Sequence, residues 1–253
     1  GGLESIMRNV NRKSPNLRFF EFGNCYHYNP DKKDEDCPIN AYAEETHLAL
    51  WLTGKRVSGS WIHPDESTSF YELRAYVQNI LRRVGMPQGM LVMEKTDNNV
   101  FSNGVVLKNR GGKSFVEMGI VSTALLKQNN IDVPVFYADL HWDNIVKAVR
   151  KSVVSFKEIS KYPSVSRDLA LLLDNEIEFE QVERVAFQSE KKLLKKVELF
   201  DVYQGDKLPV GKKSYAVNFV LQDEQATLND KKIDAIMSKL IANLKKQLGA
   251  ELR

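Results

Sequence analysis

Residues 196–222, KVELFDVYQGDKLPVGKKSYAVNFVLQ, read as two strands, KVELFDVY and SYAVNFVLQ, joined by a turn. A half-buried strand sends one parity into a core and the other into water. In the second strand Tyr215, Val217, Phe219 and Leu221 form an unbroken apolar parity. In the first, Phe200 and Val202 alternate with Leu199, Asp201 and Tyr203, so an acid and an aromatic share the face away from the core. The turn beside them is basic, with Lys207, Lys212 and Lys213.

Working outward, RDLALLL (167–173) is a strand, EFEQVERVAFQSE (178–190) a helix, and NDKKIDAIMSKLIANLKKQLG (229–249) a second helix. The second helix has Ile233, Ile236, Met237, Leu240, Leu244 and Leu248 on one side, Asn229 as N-cap and Gly249 as its stop. AELR supplies a short last strand. The order β-α-β-β-α-β is the split-βαβ, ferredoxin-like arrangement, in which both helices cover one face of an antiparallel sheet and leave the other open. Parity assigns Leu169, Leu171, Leu173, Phe200, Val202, Tyr215, Val217, Phe219 and Leu221 to the helix side. It leaves Asp168, Ala170, Leu172, Leu199, Asp201, Tyr203, Ser214, Ala216, Asn218 and Val220 on the open face.

The first part of the chain mixes strands and helices. LRFFEFGNCYHY (17–28) and HLALWLTG (47–54) read as strands around the charged loop NPDKKDEDCP. SFYELRAYVQNILRRVG (69–85) is a helix with Phe70, Leu73, Val77, Ile80, Leu81 and Val84 on one face and Gly85 as its stop. NGVVLKNRGGKSFVEMGIV (103–121) is a hairpin turning through Asn109 to Gly112, and VFYADLHWDNI (135–145) a strand. From Ile145 to Tyr162 the pattern loosens into a Lys- and Ser-rich stretch read as a linker. The predicted organisation is α+β, with a first domain over 1–150, a linker at 151–158 and a ferredoxin-like domain over 159–253.

The chain has 253 residues, a charged fraction of 27% and a net charge of +3, which permits a nucleic-acid partner without arguing for one. No apolar run reaches the roughly 18 residues of a membrane span and no signal-peptide pattern is present, so the expected setting is cytoplasmic, away from membranes. The opening GGLESIMRNV lacks an initiator Met and reads as helix, which suggests a piece of a longer protein. Cys25 and Cys37 are the only cysteines. With His27 and His47 they lack the paired spacings of structural zinc sites, so they read as reduced thiols and no metal ligand is assigned.

YPSVSRDLALLL, LFDVYQG with its GKKS continuation, ATLND and GAELR, in that order, resemble the C-terminal anticodon-binding domain of bacterial phenylalanyl-tRNA synthetase β chains. The first part resembles the catalytic-like module of class II synthetase fold that precedes it in the same family. GLESIMRNVNRKSPNLRFFEFG matches its helix, turn and strand, and Trp61, Phe70, Tyr71, Leu73 and Arg74 match its WxxxxxxxxFYxLK segment. NNVFSNGVVLKNRGG (98–112) departs from the family's usual HPGRSA-like stretch.

The resemblance implies that the second domain receives tRNA(Phe) anticodon bases at Ala170, Asp201, Tyr203 and Ser214, with Arg167 a further RNA contact or a strand-edge residue. The chemistry suits unpaired bases: Tyr203 can stack, Asp201 can accept from a base N–H, Ala170 leaves room and Ser214 offers a hydroxyl. Lys207, Lys212 and Lys213 are expected to neutralise phosphates, adding affinity without base choice. Lys191, Lys192, Lys195 and Lys196 read as a solvated helix end, and Trp51, Trp61 and Trp142 as core or interface anchors.

Class II adenylation needs an Arg two residues before a motif-2 Glu, to support phosphate charge in the transition state. Here that position, two before Glu21, is Phe19; Arg18 is one residue off, and no GxGxxxR occurs. The first domain is therefore expected to be inactive, with no catalytic residue and no cofactor in this chain, and to pack on a separate α chain. The family's α2β2 assembly uses ATP and magnesium to join phenylalanine to tRNA. Two other classes fit parts of the sequence: an amino-acid-sensing ferredoxin-like regulatory domain, and an active class II-like ligase.

Overall fold

The computed structural model describes residues 1–33, 37–86, 89–153, 156 and 158–253. The chain divides into two compact units, 1–155 and 156–253. The sequence-based linker at 151–158 includes residues 154, 155 and 157, which lie outside the described residues, as does part of the loop at 29–38.

Unit one begins with helix α1 (Gly2–Asn11). A long hairpin follows, strands β1 (Leu17–Tyr28) and β2 (Tyr42–Thr53), in register from Leu17 opposite Thr53 to Tyr28 opposite Tyr42. A small ribbon, β3 (Lys55–Val57) with β4 (Glu66–Ser67), leads to α2 (Phe70–Arg83). Ser69 caps α2 by accepting from the Glu72 amide, and Gly85 ends it at φ +86°, a conformation that side-chain-bearing residues avoid. Then come β5 (Leu91–Thr96), β6 (Phe101–Asn109), β7 (Ser114–Val121), α3 (Thr123–Gln128), β8 (Val135–His141) and α4 (Trp142–Val149). The six-stranded sheet is antiparallel throughout, in the order β1-β2-β8-β7-β6-β5.

Two apolar clusters sandwich that sheet. Leu48, Leu50, Leu52, Val116, Met118, Ala138 and Leu140 pack with Leu73, Val77 and Leu81 of α2 and Ile145 of α4. The opposite parity, Leu17, Phe19, Trp51, Val135 and Tyr137, packs with Ile6 of α1 and Leu126 of α3. One expectation changes here. The strand expected over 135–145 stops at His141, and α4 takes up 142–149, ahead of the predicted linker at 151–158, because Ile145 is drawn into the core. Trp51 stacks on Tyr137 at 3.9 Å and Trp142 meets Phe22 edge-on, whereas Trp61 is 95% exposed and anchors no core. The hairpin expected over 103–121 is present as β6 and β7.

Unit two has strands β9 (Val165–Asp174), β10 (Leu194–Tyr203), β11 (Lys212–Leu221) and β12 (Glu251–Leu252), with helices α5 (Phe179–Ser189) and α6 (Asp230–Leu248). The sheet is antiparallel in the order β10-β11-β9-β12, and the chain order is the expected β-α-β-β-α-β. Asn229 caps α6 by accepting from the Lys232 amide, and Gly249 ends it in the left-handed region, as the sequence indicates. One core cluster joins Leu171, Leu173, Val217, Phe219 and Leu221 to Val182 and Val185 of α5 and Ile233, Leu240 and Leu244 of α6.

The parity of β10 departs from the sequence reading. Its ladder with β11 shifts register between Leu199 and Asp201, a bulge in which Phe200 is the extra residue. Leu199, opposite Val217, therefore packs on the core, while Phe200 is 60% exposed. Val202 lies opposite Tyr215 on the helix side but at the sheet end, where it stays exposed. Leu199 is thus removed from the open face, and Phe200 and Val202 from the core.

Candidate nucleic-acid interface

Residues directly opposite in adjacent strands share a sheet face. The bulge leaves Asp201 opposite Ala216, which is opposite Ala170, and places Tyr203 opposite Ser214, Leu172 and, on β12, Glu251. A third row holds Glu198, Asn218 and Asp168. All three rows lie on the face away from α5 and α6, because the alternate positions of β9 and β11 form the core. The two alanines extend the Asp201 row across the sheet as a shallow floor beside the Tyr203 row.

Tyr203 is held from two sides. A Cβ on Gly205 would approach the Tyr203 hydroxyl to 2.7 Å, so the glycine lets the ring fold back over the turn. The Arg253 guanidinium stands 5.5 Å from the ring centroid, a cation–π pair. Arg253 is fixed there by its own backbone, whose N–H donates to the Ala170 carbonyl at 3.0 Å. The expected last strand AELR is present, and its pairing with β9 is what brings Arg253 to this face.

The other predicted contacts are distributed unevenly. Asp201 is exposed and Ala170 half-buried on the open face, but Ser214 is only 6% exposed beneath its neighbours. Arg167 lies opposite Phe219, hence on the helix side of the sheet, where it sits 3.8 Å from Asp230 at the start of α6. Lys213 is opposite Leu173 and only 7% exposed; it donates to the Asn175 carbonyl at 2.8 Å and lies over the Tyr215 ring. Its ammonium is engaged inside the fold, so the structure places Lys213 away from the open face on which a phosphate contact was expected. Both departures follow from parity, since Arg167 shares the parity of Leu169 and Lys213 that of Tyr215.

Lys212 is on the open side, 3.0 Å from Glu251 and 3.8 Å from Asp174. Its hydrogen bond to Glu251 holds its pKa above the ordinary lysine value. Lys207 is exposed in the turn. Asn218 donates to Asp168 at 2.6 Å, which orients one carboxylate and leaves its remaining acceptor capacity facing outward. The centre of the face therefore offers acceptors and a ring, while its available cations, Lys207 and Arg253, lie at the margin. Such a surface can select base edges by their N–H groups more readily than it can grip a phosphate chain.

Elsewhere, a cavity of ≈ 920 Å³ in unit one is lined by Leu48, Leu50, Phe20, Phe22, Arg82 and Arg83 among others. Arg18, also on its wall, is fully engaged. Its guanidinium donates to Glu72 at 3.0 and 3.2 Å, to the Thr68 hydroxyl at 2.8 Å and to the Thr53 carbonyl at 3.2 Å.

Comparison with known proteins supplies the remaining observation. A family model described as the phenylalanyl tRNA synthetase beta chain CLM domain matches residues 1–142, and one described as the ferredoxin-fold anticodon binding domain matches residues 160–253. A phenylalanine–tRNA ligase beta subunit from Bacteroides fragilis is 53% identical over 253 residues, covering 100% of this chain and 31% of that protein. The corresponding subunits of Porphyromonas gingivalis and Streptococcus mutans are 44% and 32% identical, again over 100% of this chain and 31% of theirs. The chain spans about a third of the length of these curated relatives.

Proposed function

The chain belongs to the phenylalanyl-tRNA synthetase β-chain family, and from that premise we propose that its second unit binds the anticodon of tRNA(Phe) on the uncovered sheet face. The observation that carries this reading is the pair of rows Asp201–Ala216–Ala170 and Tyr203–Ser214–Leu172 on that face. A base lies over the alanine floor, joins the Tyr203–Arg253 stack and donates an N–H to Asp201. Lys207 and Arg253 meet the adjoining phosphates.

The first unit is, in this reading, a non-catalytic copy of the class II synthetase fold that docks on the α chain of an α2β2 phenylalanine–tRNA ligase. That assembly works in the cytoplasm and uses ATP and magnesium on other domains to join phenylalanine to tRNA. Two features support the assignment. Arg18, the arginine nearest the phosphate-binding position, is committed to Glu72, Thr68 and Thr53. Edge strand β1 exposes Phe20, Phe22, Tyr26 and Tyr28 at one parity, an aromatic row suited to an interface. Among the described residues no helix is long and apolar enough to cross a membrane.

The test is a binding titration of the chain with the tRNA(Phe) anticodon stem-loop and with stem-loops altered in the anticodon. Tyr203→Ala is expected to weaken binding of the cognate loop about 5- to 150-fold, the equivalent of roughly 1–3 kcal/mol for one stacked base, and to narrow the difference between loops. Equal binding of all combinations sinks the reading. Measurable ATP–pyrophosphate exchange by the chain alone would refute the non-catalytic assignment.

A further inference from the structure

The face of the six-stranded sheet that carries α1 turns polar beyond Tyr137. Register places His47 opposite His141, and Ala49 opposite Asp139, on that side, with Glu45 two residues before His47 on the same strand. Glu45 Oε2 lies 3.6 Å from His47 Nε2 and 4.0 Å from His141 Nδ1, and all three potential ligand atoms fall within 4.8 Å of one another. The two imidazoles are tilted neighbours with ring centroids 4.8 Å apart.

The electronic arrangement of His47 is directional. Its Nδ1 is 2.8 Å from Asp139 Oδ1, so Nδ1–H donates to that carboxylate and Nε2 is the ring nitrogen left to face Glu45. Nε2 is buried and has no hydrogen-bond partner; it and Trp51 Nε1 are the buried side-chain polar atoms without one among the described residues. The nearest acid, Glu45, stands 3.6 Å from Nε2, beyond hydrogen-bond distance, with space for a shared ligand. A carboxylate behind one histidine, with the far nitrogen aimed at a second histidine and a second carboxylate, is the arrangement that orients imidazoles onto a metal.

We propose that Glu45, His47 and His141 bind a divalent transition-metal ion of the zinc class, with Asp139 as the outer partner of His47. Two imidazoles and a carboxylate suit Zn²⁺ and its first-row neighbours and are poorly matched to magnesium or calcium, which prefer oxygen. Ligand atoms around tetrahedral zinc stand about 3.4 Å apart, from bond lengths of about 2.1 Å. Small rotamer adjustments of the half-exposed Glu45 and the partly exposed His141 reach that spacing from the observed one. The same exposure leaves a fourth position to water. The ion joins the middle of β2 to the β8–α4 corner, since His141 is the residue immediately before α4. No spacing pattern announces the site, because cross-strand pairing brings the ligands together. Cys25 and Cys37, the residues a sequence search would choose, are not in the group.

The test uses the chain stripped with a chelator and titrated with Co²⁺ at neutral pH. The expected result is one equivalent bound with visible d–d absorption, displaced by Zn²⁺. His141→Ala should weaken binding at least about tenfold, and Asp139→Asn about 10- to 100-fold, the usual effect of losing an outer-shell partner. His47→Ala should abolish it, with circular dichroism in chelator as the folding control. A Cys25→Ser/Cys37→Ser double variant should bind as the parent does. Absence of Co²⁺ absorption by the folded chain would overturn the site. Undiminished binding by folded His141→Ala, or loss in the double cysteine variant, would overturn it equally.

Discussion

The six-stranded sheet of unit one is packed on both faces, by α2 and α4 on one and α1 and α3 on the other, while the four-stranded sheet of unit two has a single core on one face. This difference decides how a polar residue is interpreted. In unit two an outward position such as Asp201 has no covering element, so its side chain is available to a ligand. In unit one Arg18 and His47 are drawn into internal partnerships, with Glu72 and with Asp139. A polar side chain on a covered face is thus spent on structure, whereas Asp201 on the uncovered face stays exposed.

Arginine gives the largest test of that contrast. Glu72 is only 8% exposed, and Arg18→Ala leaves its carboxylate with Tyr76 as a more distant donor at 3.3 Å. Removing one partner of a buried pair costs about 3–5 kcal/mol; because Arg18 is itself partly exposed, we expect ~2–3 kcal/mol in urea unfolding. Arg167→Ala, breaking a 3.8 Å contact to an exposed Asp230, should change stability by about 0.5 kcal/mol or less. Equal losses would erase the distinction between the two sheets.

The bulge in β10 supplies a test of intermediate size. Leu199→Ala should destabilise unit two by ~1–2 kcal/mol, below the range for full core burial because Leu199 is only partly buried. Phe200→Ala, at an exposed extra position, should cost less than about 0.5 kcal/mol despite the larger side chain. Hydrogen exchange of β10 and β11 amides reads both. The reverse ranking would restore the strict alternation that the sequence suggested.

That strand also marks where the sequence stopped being legible. The order of elements in unit two was readable because α6 shows its cap, apolar face and stop in sequence, and β9 and β11 keep uninterrupted parity. The β10 bulge has no sequence marker, so Leu199 and Phe200 exchanged roles. Short elements were missed for a related reason: TALLKQ of α3 is less than two full turns, too brief for periodicity to show. The helix-side placement of Lys213 and Arg167, by contrast, follows from parity alone. Neither Arg253 over Tyr203 nor the Glu45–His47–His141 group could be seen before strand pairing was known.

The smallest expected effect concerns Lys212, the open-face lysine whose charge the sheet itself neutralises. Its hydrogen bond to Glu251 raises its pKa above the unfolded value of about 10.4. A raised pKa means the folded chain holds this proton more tightly than the unfolded chain does, so the stabilisation is fully present below about pH 10.4 and is lost as pH rises through the folded value. The stability difference between the parent and Lys212→Gln should therefore be constant from pH 7 to 9 and shrink above roughly pH 10.4. The same substitution should alter the salt dependence of stem-loop binding less than Lys207→Gln, because Lys212 already faces two carboxylates. A stability difference unchanged through the alkaline range would show that Glu251 does not hold the lysine. A larger salt effect at Lys212 than at Lys207 would show instead that RNA competes successfully for it, and that the open face uses even its paired charges for recognition.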